Sequence, residues 1–151
     1  MGRVVMVNLT TREITEYPWT DRQRELFIGG KIMAAKILSD YFTGQENPFS
    51  EENLVVITTG PMTGTGAPAS SRFNISTLSP QTGLITSSNC GGSFGYFLKK
   101  AGLDGLIIKG KCQKHSWLVI ENGRFTFRDA EQDGLWGRKV SACQSKISDI
   151  L

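Results

Sequence analysis

The sequence predicts an α+β protein built from mixed or antiparallel sheets with few helices. Three observations carry this. Short β-branched runs, such as residues 4–9 and 54–59, recur between turn signals. Helical spacing of apolar residues occurs in few places, chiefly across residues 26–38 and 135–151. Asn122-Gly123 separates two alternating runs and signals a type I′ hairpin.

From the N-terminus, residues 4–9 read as a strand, Thr10-Thr11-Arg12 as a turn, and residues 13–17 as the returning strand. Thr20 can cap a helix that starts near Asp21, where early acidic residues suit the helix dipole. Leu26, Phe27, Met33, Ile37 and Leu38 form its apolar stripe, interrupted by Gly29-Gly30. Two adjacent glycines cost roughly 2 kcal/mol inside a helix, so a break or a close backbone approach is expected there. The main helix then covers residues 31–41. Residues 54–59 read as a buried strand, 60–71 as a loop of small residues, and 72–78 as an alternating strand. A turn at 79–83 leads to a short strand at 84–86, and 87–92 read as a second small-residue loop. Residues 94–101 form a short helix stopped by Gly102, followed by a strand at 106–109. Residues 117–120 and 124–128 pair as the hairpin, and 135–151 are helical. Hairpin followed by helix is also how the chain begins. The expectation is one structural unit repeated, with the second copy cut off after its helix.

With 151 residues the chain is long enough for one domain with a real core and too short for two ordinary ones. Hydrophobic residues make up 39% and charged residues 21%, which fits a globular chain rather than a disordered one. The net charge of +3 is spread along the sequence without a basic block, which argues against a nucleic-acid partner. No run approaches the ~18 apolar residues of a membrane helix, and no secretion signal is evident. No membrane partner and a cytoplasmic location are therefore expected. Cys90, Cys112 and Cys143 are too scattered for a zinc or redox pair and read as reduced thiols. The two glycosylation patterns, at Asn8 and Asn74, read as chance. His115 reads as a surface loop residue, and no nucleophile–histidine catalyst is expected.

Glycine is over-represented at seventeen residues, ten of them between Gly60 and Gly110. Gly64-Thr65-Gly66-Ala67-Pro68-Ala69 fits a dinucleotide fingerprint, but Pro68 and an alternating strand follow where a helix is required. Residues 105–111 fit a P-loop, but Cys112 replaces the magnesium-reaching hydroxyl. What remains is two small-residue loops flanking a strand pair, with Arg72 beside the first and a helix start after the second. Glycine lets backbone N–H groups approach a ligand, a helix N-terminus favours phosphate, and Arg72 offers a fork of donors. This pattern suits a phosphorylated, polar, flat ligand. It equally suits tight turns with Arg72 in water.

Five segments stand out together: Thr59-Gly60-Pro61-Met62-Thr63-Gly64-Thr65-Gly66-Ala67-Pro68, Ser71-Arg72-Phe73-Asn74, Ser79-Pro80-Gln81-Thr82-Gly83, Ser88-Asn89-Cys90-Gly91-Gly92-Ser93-Phe94-Gly95 and Leu98-Lys99-Lys100-Ala101-Gly102-Leu103-Asp104. In register, they resemble the N-terminal domain of the tungsten-containing aldehyde:ferredoxin oxidoreductase family. Weaker matches are Val7-Asn8-Leu9-Thr10-Thr11 and Leu135-Trp136-Gly137. The resemblance spans nearly the whole chain, so residues 1–151 are expected to form one such domain, incomplete at its end.

The resemblance implies a saddle-like domain with internal pseudo-twofold symmetry, on which a tungsten or molybdenum bis-pterin lies. It implies that Arg72 contacts pterin and lies toward an iron–sulfur cluster. It implies that Asn89 gives its backbone carbonyl to a magnesium ion bridging the two pterin phosphates, and that Cys90, Gly91 and Gly92 line the pterin. Magnesium's demand for oxygen ligands suits such a carbonyl. Cys90 is then a small loop residue, not a metal ligand. Lys31-Ile32-Met33 depart from the family's glycine-rich, arginine-bearing stretch, and Ser70-Ser71 replace smaller residues. The four-iron four-sulfur cluster and catalytic groups belong to later domains of a full-length parent, which are the expected partners, with ferredoxin as the parent's electron acceptor. No catalytic residue is assigned to this chain, which is expected to be inactive alone. The implied function is the cofactor-binding portion of an oxidoreductase that turns aldehydes into carboxylic acids. The alternatives are a free-standing, non-catalytic pterin or phosphate module completed by homodimerisation, and a fold that binds nothing alone.

Overall fold

A computed structural model of the chain describes residues 2–151. It divides into two compact units, one ending at Lys111 and one running from Cys112 to Leu151.

In the first unit, β1 (Arg3–Asn8) turns into β2 (Ile14–Glu16), with Val5 opposite Glu16 and Val7 opposite Ile14. Asn8 shapes the turn, its Oδ1 accepting from the Thr10 and Thr11 N–H groups. α1 (Asp21–Phe27) opens with a capping box. The Gln23 N–H donates to Thr20 Oγ1 and the Thr20 N–H donates to Gln23 Oε1. α2 (Gly30–Tyr41) follows after the expected break. At Gly29 the cause is space: a Cβ would lie 2.7 Å from the Thr59 carbonyl oxygen. At Gly30 it is torsion, with φ at +58° and open room around it.

β3 (Val55–Thr59), β4 (Phe73–Leu78) and β5 (Ile85–Cys90) form an antiparallel meander. α3 (Phe94–Lys100) leads to β6 (Leu103–Lys109). The sheet order is β2-β1-β6-β3-β4-β5, with β1 and β6 parallel and every other pair antiparallel. The fold is thus α+β on a mixed sheet. α2 packs on β3 and β4, burying Met33, Ala34, Ile37 and Leu38 against Val56 and Ile107.

The largest boundary differences from the sequence expectation in this unit concern β5 and β6. Residues 87–90, read as loop, belong to β5, pairing Ser87 with Ser76 and Cys90 with Phe73. β5 is an edge strand exposed on both faces, so it carries no apolar alternation to betray it. β6 starts at Leu103 rather than 106, because Asp104 is neutralised by Arg24 and Lys99 and Gly105 leaves room for Met33 and Val4.

In the second unit, β7 (Ser116–Glu121) and β8 (Arg124–Asp129) form a two-stranded hairpin. Asn122 and Gly123 both have positive φ, 49° and 75°, as a type I′ turn requires. Asp133 accepts from Trp117 Nε1 at 2.8 Å and, bidentately, from Arg128 Nε at 2.9 Å and Nη2 at 3.1 Å. α4 (Val140–Ile150) begins five residues later than the pattern suggested. Residues before it form turns, with the Leu135 and Trp136 N–H groups donating to the Ala130 carbonyl. Hairpin followed by helix therefore recurs as an order of elements. His115 is exposed, its ring stacked on Trp136 and its Nδ1 2.7 Å from Glu131 Oε1.

Candidate functional site

The sheet places a cavity of about 260 Å³ where β3, β4 and β5 meet the first small-residue loop. Gly30, Thr58, Arg72, Phe73, Asn74 and Asn89 line it. Strand register explains the grouping: Asn74 on β4 sits between Thr58 on β3 and Asn89 on β5.

Arg72 is held by its backbone. Thr63 Oγ1 accepts from the Gly60 N–H and donates to the Arg72 carbonyl, both at 3.2 Å. A Cβ on Gly95 would lie 3.3 Å from the Ser71 carbonyl oxygen, so α3 rests directly on this segment. Phe73 stacks at a tilt on Phe94, 4.7 Å between centroids. The loop and α3 thus fix the main chain, while the exposed guanidinium forms no ion pair among the described residues. A fixed backbone with an unengaged fork of donors suits an anion or a polar ring edge.

The structure brings Arg72 and Asn89 to this cavity. Cys90, Gly91 and Gly92 are exposed beside it and do not line it. The Cys90 thiol donates to its neighbour's carbonyl, at 3.4 Å from Gly91 O. Among the described residues no group of three or more His, Cys, Asp or Glu could hold a metal ion. A magnesium ion here would need carbonyl and phosphate oxygens instead. Among the described residues no cysteine forms a disulfide. Among the described residues no helix is long and apolar enough to cross a membrane.

Three groups at the cavity were given no binding role by the sequence. Thr63, 5% exposed, ties the loop to Arg72. Gly30, the first residue of α2, lines the cavity, and Gly29 before it offers no side-chain cap. Asn74, 1% exposed, has the only buried side-chain polar atom without a hydrogen-bond partner among the described residues, its Oδ1. Such an orphan costs about 1–3 kcal/mol unless a water or a ligand satisfies it. The signal in sequence was the placement of Asn74 and Ser76 in register with Leu78 on the strand's buried face.

Comparisons with known proteins place the chain in a family. The model of the aldehyde ferredoxin oxidoreductase N-terminal domain matches residues 4–151. The chain belongs to the aldehyde ferredoxin oxidoreductase family. The tungsten-containing aldehyde ferredoxin oxidoreductase of Pyrococcus furiosus is 37% identical over 146 residues, covering 97% of this chain and 24% of the relative. The enzyme of the same name from Thermococcus kodakarensis shows the same identity and coverage. The chain thus spans about a quarter of the length of these aldehyde ferredoxin oxidoreductases. Among solved structures, the active-site complex BamBC of benzoyl coenzyme A reductase, bound to 1,5-dienoyl-CoA, matches with a TM-score of 0.92 and 36% identity. That match covers 98% of this chain and 22% of the other.

The residues present fit the tungstopterin that these family members imply. The cavity combines an unengaged guanidinium, an uncapped helix start and an orphaned acceptor, so it offers partners to both the anionic and the N–H-bearing parts of such a group.

Proposed function

We propose that this chain is the tungstopterin-holding N-terminal portion of an oxidoreductase that oxidises aldehydes to carboxylic acids with ferredoxin as electron acceptor. The observation that carries the reading is the convergence of Arg72 and Asn89 on one cavity, within a chain of this family. When bound, the metal centre supplies the redox chemistry, by which an aldehyde and water give a carboxylic acid, two protons and two electrons. The residues of this chain bind and orient. Arg72 donates to pterin or phosphate. The Asn89 backbone carbonyl would be an oxygen ligand for magnesium, and Cys90, Gly91 and Gly92 would extend the pterin-facing surface through their backbones. Residues 1–151 then act as one cofactor-holding domain. The four-iron cluster and the catalytic groups reside in the rest of a cytoplasmic parent enzyme.

The test is Arg72→Ala in the parent protein. Loss of a charge-assisted contact costs about 1.5–3 kcal/mol of cofactor binding, roughly a ten- to hundredfold weakening. Tungsten per mole, measured by mass spectrometry, should fall sharply while circular dichroism stays wild type. Wild-type tungsten content would defeat the assignment.

The likeness to a benzoyl coenzyme A reductase complex favours a second reading, in which the same domain serves a reductive reaction on another substrate. Assaying the parent with aldehydes and with aryl thioesters separates the two. For a free-standing module completed by a second copy, light scattering of the purified chain should show a dimer.

A further inference from the structure

The unpartnered oxygen belongs to a residue that lines the cavity and ends a chain of hydrogen bonds. Ser87 Oγ on β5 lies 2.7 Å from Ser76 Oγ on β4, and Asn74 Nδ2 donates to Ser76 Oγ at 2.7 Å. A serine oxygen has two acceptor lone pairs, so either hydroxyl can donate in the Ser76–Ser87 bond. One end of the Asn74 amide is turned along the sheet to Ser76, and the other is left over. The neighbouring hydroxyls cannot serve it. Thr58 Oγ1 donates to the Gly30 carbonyl at 2.9 Å, and Thr63 Oγ1 donates to the Arg72 carbonyl. Reversing the amide does not remove the problem, because Nδ2 would then be the buried end without a partner. One end of Asn74 is therefore reserved, in a residue that lines the same cavity as Arg72, Asn89 and the start of α2.

We propose that Asn74 is a ligand-binding residue of this cavity, the free end of its amide hydrogen-bonding a polar ring atom of the bound pterin and so fixing the ring's orientation. The inference rests on the pterin reading above. Within it, labour divides by place: Arg72 and the uncapped start of α2 offer donors to anionic groups, and Asn74 offers its free amide end to the heterocycle. The Ser76–Ser87 pair holds the other amide end before the ligand arrives, so little ordering remains to be done on binding.

Neopterin serves as the probe, titrated into the 151-residue chain by fluorescence quenching, with thermal melting measured alongside. For Asn74→Leu the two readouts should separate. The ligand-free melting temperature should be unchanged or higher, because an apolar side chain of similar size removes a buried unsatisfied oxygen. Neopterin affinity should fall about tenfold or more. Asn74→Ala should weaken neopterin likewise, and it supports the inference should the leucine variant not fold. A melting temperature lowered with neopterin affinity intact would make Asn74 purely structural and overturn the inference while leaving the pterin reading standing. Failure of neopterin to bind the wild-type chain would overturn both.

Discussion

In the unit that ends at Lys111, twelve residues of α2 pack on a six-stranded sheet and bury Met33, Ile37 and Leu38 almost completely. In the unit from Cys112 to Leu151, a two-stranded hairpin precedes a helix with no buried residue, and only Ala130 and Leu135 are buried apolar side chains. An isolated hairpin of two strands is marginal in water. The second unit instead relies on directed polar contacts, above all those of Asp133 with Trp117 and Arg128. The candidate cavity lies wholly in the first unit. A rigid, apolar-packed support is what an orphaned polar atom needs, since a looser one would relax and satisfy it.

The largest effect that would test this contrast is in the first core. Ile37→Ala should cost about 2–5 kcal/mol by denaturant unfolding, whereas Leu135→Ala should cost clearly less. Equal costs would break the comparison. Next comes acidity. Asp133 is held below the ordinary carboxylate range, first by the Trp117 N–H and then by Arg128. Its folded pKa is depressed, so its contribution is present above the unfolded carboxylate value and is lost as pH falls through the lowered folded value. Tryptophan fluorescence should therefore report loosening of the second unit on acidification below the usual carboxylate range. Asp129 in the same unit is also held low, first by the Gln132 N–H, so Asp133→Asn should reduce that acid dependence, and an unchanged dependence would assign it elsewhere. The smallest effect is local to α1: Thr20→Ala removes the capping box and should cost about 0.5–2 kcal/mol.

What was legible in the sequence follows the same division between apolar pattern and polar placement. The first hairpin, the Thr20 cap, the break at Gly29-Gly30 and the Asn122-Gly123 turn were readable because each depends on a local residue preference. β5 was not, because an edge strand of Thr, Ser, Asn and Cys has no buried face to impose alternation. The start of α4 was misplaced because Leu135 is buried by a turn rather than by a helix. At the site, Arg72 and Asn89 were found through motif resemblance. Asn74 lay inside one of those motifs, yet its isolation depends on its bond to Ser76 and on where Thr58 and Thr63 send their protons. That is a property of three dimensions, not of spacing.

The paired glycines between α1 and α2 differ in what they would allow a designer to write. Position 29 is closed by volume, because any side chain would begin 2.7 Å from the Thr59 carbonyl oxygen and displace the end of β3 beside the cavity. Position 30 has room and is restricted only by its left-handed torsion, which asparagine tolerates better than other side-chain-bearing residues. In a saturation library the two identical letters should behave differently, one admitting no replacement and the other admitting asparagine.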